Sequence, residues 1–281
     1  MALTFGKDKM TEGTSFSKED AKKILSEDSS FSVRESYSAI RTNLMFTQKG
    51  EECPVFVVTS PTASNGKTIN TINLSISFAQ MGRRTLLIDA DMRNPTIHRM
   101  FFTPVKDGLS EILAGMTDTI QLSKTGIDNL SLLTAGKIPP NPAELVSSSR
   151  MNVLLDYVKQ HFDCVFIDTP PINIVTDATA FADKSTGYVF IVKANFNKKA
   201  DLRDAIQTVE GVNGNILGII LNEVSSQGKG YYSRYSKYYK RHSYGYGYGY
   251  GYGYGYGYGY GYKNNGYGYG YGYGNTKSRK K

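Results

Sequence analysis

From Val55 onward the chain repeats one pattern, a short continuous apolar run followed by a helical stretch. The run "VFVVTS" precedes helical residues 68–81, "TLLIDAD" precedes a helix around "LSEILAG", and "LSLLTAG" precedes one across "SRMNVLLDYVKQHF". Then come "CVFIDTPP", "GYVFIVKA", the helical "KADLRDAIQTVEGV" and "ILGIILNEV". Runs with no polar alternation are buried on both faces, and helices between them supply parallel crossovers. The expected class is therefore α/β, a mainly parallel sheet with helices on both faces. Upstream, residues 1–30 read as a polar leader, with "SKEDAKKILSE" as a short helix capped by Ser17 and its charges facing water. In "SVRESYSAIRTNLMF" the positions of Tyr37, Ile40, Leu44 and Met45 predict an amphipathic helix with Arg34, Glu35 and Arg41 on its polar face.

After Val224 the composition changes abruptly. Nineteen of the 22 tyrosines lie at or after Tyr231, the others being Tyr37, Tyr157 and Tyr188. Tyrosine alternating with glycine has the period of a strand, but glycine's backbone entropy and missing side chain weaken strands, so the segment is expected to be disordered. The domain division is then 1–30, 31–225 and 226–281. Net charge follows it: Lys229 to Lys281 hold ten Lys and Arg and no acid, leaving 23 basic against 25 acidic residues upstream. The formal +8 therefore belongs to the tail, and a near-neutral folded part argues against tracking phosphates along nucleic acid. Cys53 and Cys164 adjoin apolar runs and read as core residues in a reducing compartment. "MALTFGKDKM" has no apolar signal region and "ILGIIL" falls short of the roughly 18 residues of a membrane helix. A cytoplasmic location is expected, with any membrane link made through a partner.

The segment "VFVVTSPTASNGKTINTINLSISFA" sets a strand, a tight loop and a helix in the order a phosphate-binding loop needs. Backbone N–H groups and the helix N-terminus would surround the anion, Lys67 would supply a point charge and Thr68 a hydroxyl for Mg²⁺. The leading glycine of GxxxxGK[ST] falls at Pro61, so the plain alternative is a loop with an exposed lysine. Two strands ending in carboxylate favour the site. Asp168 closes "CVFID", as a Walker B acid does, and Asp89 and Asp91 bracket Ala90 after "TLLI". The two are expected to diverge, one leaning to the metal and one meeting the nucleophile. Three carboxylates and a lysine suit phosphoryl transfer, which is largely positioning and neutralisation of charge, and leave the acceptor open.

The motifs "SNGKT", "LLIDADMRNPTIHRMF", "GLSEILAG", "AGKIPPNPAELVSS" and "FDCVFIDTPP", followed by a tyrosine-rich end, resemble the bacterial tyrosine kinases. The closer resemblance is to the cytoplasmic capsule and exopolysaccharide kinases of Firmicutes, the CpsD/CapB type, across about Arg34 to Val224. It implies a P-loop NTPase-like fold and an ATP- and Mg²⁺-dependent protein-tyrosine autokinase. Ala63, Ser64, Asn65, Gly66, Lys67 and Thr68 would hold the phosphates, with Lys67 on the β- and γ-groups. Thr68, Asp91 and Asp168 would serve the metal, Asp89 would accept the tyrosine proton, and Asn222 would contact adenine.

By the same resemblance the acceptors are Tyr244, Tyr246, Tyr248, Tyr250, Tyr252, Tyr254, Tyr256, Tyr258, Tyr260, Tyr262, Tyr267, Tyr269, Tyr271 and Tyr273 of a neighbouring subunit. A flexible linker of about 50 residues spans roughly 35–42 Å, enough to reach across one domain. Partners implied are the cytoplasmic segment of a membrane adaptor of the polysaccharide co-polymerase (Wzz-like) kind, which recruits the kinase to the inner face of the membrane, and protein substrates of polysaccharide synthesis. A homo-oligomer is implied through an ExxRxxR helix pattern, of which this chain keeps Glu35 and Arg41 but has Ser38 between them. The phosphate loop is also less glycine-rich than in the family. Two other readings remain. A ParA/MinD-like switch ATPase shares the DxD strand but carries a lysine five residues before the loop lysine, where this chain has Thr62. An RNA-binding or condensing protein would stack Arg and Tyr on bases, but tail arginines are few.

Overall fold

The computed structural model describes residues 3–5, 22–48, 50–105 and 107–224. Its elements are β1 (Thr4–Phe5), α1 (Phe31–Thr47), β2 (Val55–Thr59), α2 (Lys67–Ala79), β3 (Thr85–Asp89), α3 (Ile97–Met100), α4 (Leu109–Leu113), β4 (Thr119–Ile120), β5 (Ser123–Lys124) and β6 (Leu130–Leu133). There follow α5 (Pro142–Ser147), α6 (Ser149–Lys159), β7 (Cys164–Asp168), a 3₁₀ turn η1 (Asp177–Phe181), β8 (Gly187–Lys193), α7 (Lys199–Glu210) and β9 (Ile216–Asn222). Seven strands form one sheet in the order β5-β6-β3-β7-β2-β8-β9, all parallel except the β5 edge, and β1 pairs with β4 apart from it.

Period-two alternation splits the core into two layers. Val55, Val57, Leu86, Ile88, Val165, Ile167, Tyr188 and Phe190 face one side, with residues of α4 to α7 and η1. Phe56, Val58, Leu87, Phe166, Val189 and Ile191 face the other, with α2 and the inner side of α1. On that second side Phe56, Phe78 and Phe166 form a ring cluster with centroids 5.0–5.7 Å apart. The crossover leaving β2 runs toward β3 and the one leaving β7 runs toward β8, so the carboxyl ends of β2 and β7 form a topological switch point, where open α/β sheets place ligands. Both cysteines are buried free thiols, as expected, and burial pushes the Cys164 thiol up to about 12.

Parts of the leader join this core. Leu3 is buried in the first layer and Leu25 in the second, where its N–H donates to Asn73 Oδ1 at 2.8 Å. Of the helix expected over residues 17–27, only 22–27 are described, and they are turn and coil. The helix expected from Ser32 forms as α1, capped by Ser30 with Leu44 buried. Among the described residues no helix is long and apolar enough to cross a membrane. The tail, with every tyrosine expected as an acceptor, lies outside the described residues.

Candidate active site

The loop from Ser60 to Gly66 joins β2 to α2 at the switch point. Its left-handed positions are Ser64 (φ 62°) and Gly66 (φ 80°), so the proline at 61, whose ring fixes a negative φ, stands where no glycine is needed. Gly66 is held to glycine twice, because a Cβ there would also lie 2.3 Å from Asn222 Nδ2. Side chains brace the loop where more glycine was expected. Asn65 Nδ2 donates to Thr62 O at 2.8 Å, Asn65 Oδ1 accepts from the Lys193 N–H at 2.7 Å, and Asn197 Nδ2 donates to Thr62 Oγ1 at 2.8 Å. Asn222 Nδ2 donates to Asn65 O at 2.9 Å, which places Asn222 at the loop itself. No side chain caps α2, so the amides of its first turn face the loop opening, an arrangement suited to a phosphate.

Beside the loop the ends of β3 and β7 bring three carboxylates to one lysine. Lys67 Nζ lies 2.9 Å from Asp168 Oδ1 and 3.6 Å from Asp91 Oδ2. Asp168, 1% exposed, also accepts from Thr68 Oγ1 at 2.8 Å and from Thr71 Oγ1 at 2.9 Å. Asp89 pairs in register with Asp168, is fully buried, and accepts the Ile97 N–H at 3.2 Å through Oδ2. Its Oδ1 has no partner among the described residues. Burial first, and the Asp168 charge second, push the Asp89 carboxyl up to about 8, while Lys67 and the Ile97 N–H oppose the rise. Asp91 is raised in the same way, chiefly by burial. A hydroxyl and two carboxylates are hard oxygen donors fitted to Mg²⁺. Among the described residues no three His, Cys, Asp or Glu are grouped so as to hold a metal ion by themselves.

Residues 59–215 match the AAA domain family. A protein of Staphylococcus aureus named putative tyrosine-protein kinase CapB is 36% identical over 207 residues, 73% of this chain and 91% of that one. The chain belongs to the bacterial tyrosine-protein kinases. Among solved structures, the chimerical protein CapA2B2 has a TM-score of 0.67 at 32% identity, covering 80% of this chain and 96% of its own. The kinase domain of the Escherichia coli tyrosine kinase ETK follows at 0.66 and 30%, covering 77% and 80%. The full-length tyrosine-protein kinase etk is 33% identical over 203 residues, which are 72% of this chain and 28% of etk.

One expectation for this kinase is corrected by its own strand geometry. Asp89 and Asp91 do not diverge. Strand alternation with Leu87 puts Asp89 on the α2 side, and Asp91, just past the end of β3, turns to the same side with its Oδ2 3.6 Å from Lys67 Nζ. What separates them is burial: Asp89 is sealed at the strand end, whereas Asp91 lies beyond it with an open edge.

Sequence reasoning missed two neighbours. Thr71 sits one helical turn after Lys67, a spacing that puts both over Asp168. Asp177, 2% exposed in η1, receives both Arg93 Nε at 2.8 Å and Nη2 at 2.9 Å, which ties the segment after Asp91 to the segment after β7. Arg93 is largely solvated, so the pair is expected to contribute only about 1 kcal/mol of coupling despite its bidentate geometry. A double-mutant cycle of Arg93→Ala and Asp177→Ala by urea unfolding measures it, and strict additivity would remove the clamp.

The residues expected at a subunit contact sit on α1. Glu35 is exposed, while the Arg41 guanidinium donates to Ser77 O at 2.8 Å and to Ser77 Oγ at 3.0 Å, fastening α1 to α2 within the same domain.

Proposed function

We propose that this kinase phosphorylates the tyrosines of its own C-terminal repeat in trans, from Mg²⁺-ATP, and governs capsule or exopolysaccharide assembly with a membrane adaptor. The observation that carries the reading is the convergence of Lys67, Thr68, Asp91 and Asp168 on one point beside the buried Asp89. In that reading the 63–68 loop and Lys67 grip the phosphates, Thr68, Asp91 and Asp168 hold Mg²⁺, which neutralises phosphate charge, and Asn222 lies at the adenine side of the loop. The acceptor tyrosine oxygen attacks the γ-phosphorus, the bond to the β–γ bridging oxygen breaks, and ADP leaves. Asp89 takes the phenolic proton, a task its raised basicity favours.

Glu35 and Arg41 belong to the proposed subunit contact, and the adaptor reading draws support from etk, in which the matched kinase segment is 28% of a longer chain. Each phosphate adds about −1.5 to −2 charges to a basic tail, so modification would loosen any assembly held by tail contacts. Incubation of the full chain with Mg²⁺-ATP, with and without the adaptor segment, should give successive phosphate mass steps confined to residues 231–281. A chain with the fourteen repeat tyrosines changed to phenylalanine should lose most of them. ATP hydrolysis without any tyrosine modification, adaptor present, would instead select the switch ATPase.

A further inference from the structure

The two peptides on either side of Gly66 are each held by an asparagine amide. Asn222 Nδ2 donates to Asn65 O at 2.9 Å, and Asn70 Nδ2 donates to Gly66 O at 2.9 Å. Both nitrogens crowd the space that a Cβ at Gly66 would take, at 2.3 Å and 3.5 Å. In a trans peptide the C=O and the following N–H point opposite ways, so a pinned Gly66 C=O sets the direction of the Lys67 N–H. That N–H is the first amide of α2, at the helix end that opens on the loop. Glycine leaves its flanking peptides free to swing, and the two asparagines remove that freedom.

Asn70 is held in turn. Tyr37 on α1 donates its hydroxyl to Asn70 Oδ1 at 3.0 Å and accepts from Asn73 Nδ2 at 3.1 Å. Asn73 Nδ2 also donates to Lys23 O at 3.0 Å, and Asn73 Oδ1 accepts the Leu25 N–H at 2.8 Å. A side-chain amide can turn end for end and a hydroxyl can donate or accept, but backbone groups cannot exchange roles. The Leu25 N–H and the Lys23 C=O therefore fix the sense of Asn73, Asn73 fixes that of Tyr37, and Tyr37 that of Asn70. From Asn73 to Gly66 every donor then points the same way, in a chain whose members polarise one another. Asn70 and Asn73 are 3% and 2% exposed, so a missing link leaves a buried polar atom unpaired. Burial pushes the Tyr37 phenol up, which keeps on it the proton that Asn70 receives.

We propose that the Tyr37 hydroxyl is a positioning group of the nucleotide site: through Asn70 it locks the Gly66–Lys67 peptide with the Lys67 N–H turned to the phosphate. The inference rests on the reading of the 63–68 loop as the phosphate grip and adds to it a residue of α1. In this arrangement α1 and residues 23–25, which touch no phosphate themselves, bear on how tightly the loop holds one. A pinned amide meets the phosphate equally in the bound and the reacting state, so its loss weakens binding rather than slowing the step that follows.

Calorimetric titration of the full-length chain with Mg²⁺-ATP, together with phosphorylation rates against ATP concentration, tests this with the adaptor segment present. Tyr37→Phe keeps the ring and loses only the hydroxyl. It should bind Mg²⁺-ATP about tenfold more weakly and raise KM for ATP to match, while kcat at saturating ATP stays within about twofold of the parent. Ser77→Ala removes a different α1–α2 hydrogen bond, the one from Arg41 to the Ser77 hydroxyl, and should bind ATP as the parent does. If loosening α1 there weakens ATP binding equally, the chain to Gly66 is not the cause and the proposal falls. Asn70→Ala should weaken ATP binding by itself, and adding Tyr37→Phe to it should cost nothing more, whereas additive losses would overturn the route through Asn70. Unchanged affinity in Tyr37→Phe would make the hydroxyl a packing contact only and leave the phosphate loop standing. Absence of ATP binding by the unaltered chain would overturn the phosphate-loop reading, and the role of Tyr37 with it.

Discussion

Lys67→Met should lower tyrosine phosphorylation about 10³-fold and, less obviously, destabilise the ligand-free domain. The rate loss follows from removing the one lysine placed to meet phosphate charge as it develops, an effect comparable to deleting a preorganised donor. The stability loss follows from the resting structure. The ammonium lies 2.9 Å from a carboxylate that is 1% exposed and 3.6 Å from a second. Removing one partner of a buried pair costs about 3–5 kcal/mol, because a desolvated charge is left behind. Here Thr68 and Thr71 still donate to Asp168, which favours the low end, about 3 kcal/mol, or roughly 6–12 °C in Tm for a domain of this size. Lys67→Arg should keep most of the stability while losing rate, since a planar fork does not place charge where the ammonium does. Thermal unfolding of the ligand-free variants beside phosphotyrosine rates separates the two effects. A methionine variant with unchanged Tm would mean that the resting ion pair is not formed.

The paired behaviour of Lys67 was half legible in the sequence. Strands β2, β3, β7 and β8 were readable because a strand buried on both faces has no polar residue to interrupt it, β6 and the half-exposed β9 were readable as short apolar runs, and the lysine and the three aspartates were readable because each sits at or just past the end of such a strand or where the next helix begins. The helix starting at Lys67 rather than Thr68 lies within ordinary boundary error. What escaped was structure without a period. β1, β4 and β5 are two residues each, and α5 is six residues beginning at Pro142, too short for a 3.6-residue repeat to show. Leu3 and Leu25 are single apolar residues among charges, and nothing local marks them as core. Asp177 sits in an irregular segment and gains its meaning only from Arg93, 84 residues earlier. Thr71 was within reach, since its spacing from Lys67 is helical. The divergence expected of Asp89 and Asp91 was an error of parity, corrected by the same period-two rule that sorts Leu87 from Ile88 into opposite core layers.

Asp89→Asn should uncouple stability from activity. The carboxyl is fully buried, has one backbone donor, and stands in register with Asp168. Burial foremost raises it to about 8, against roughly 3.9 in an unfolded chain. Between those values the folded state holds a proton that the unfolded state has released, so the unfolded state binds fewer protons and stability falls as pH rises. The contribution is intact below about pH 4, declines by at most about 1.4 kcal/mol per pH unit through the window, and is lost above about pH 8. Asparagine carries no such charge. The variant should therefore gain a few kcal/mol over the parent in the ligand-free state at pH 8, gain little at pH 5, and show a flatter stability profile between them. Phosphorylation should meanwhile fall about 10²–10⁴-fold, the usual contribution of a positioned base, and the parent's rate should climb with pH toward about 8 as the carboxylate forms. Urea unfolding of both proteins at pH 5, 6, 7 and 8, without nucleotide, decides the first part. Parallel profiles would show that Asp89 ionises as an ordinary carboxylate, and the strain attributed to burying it at the catalytic edge would have to be withdrawn.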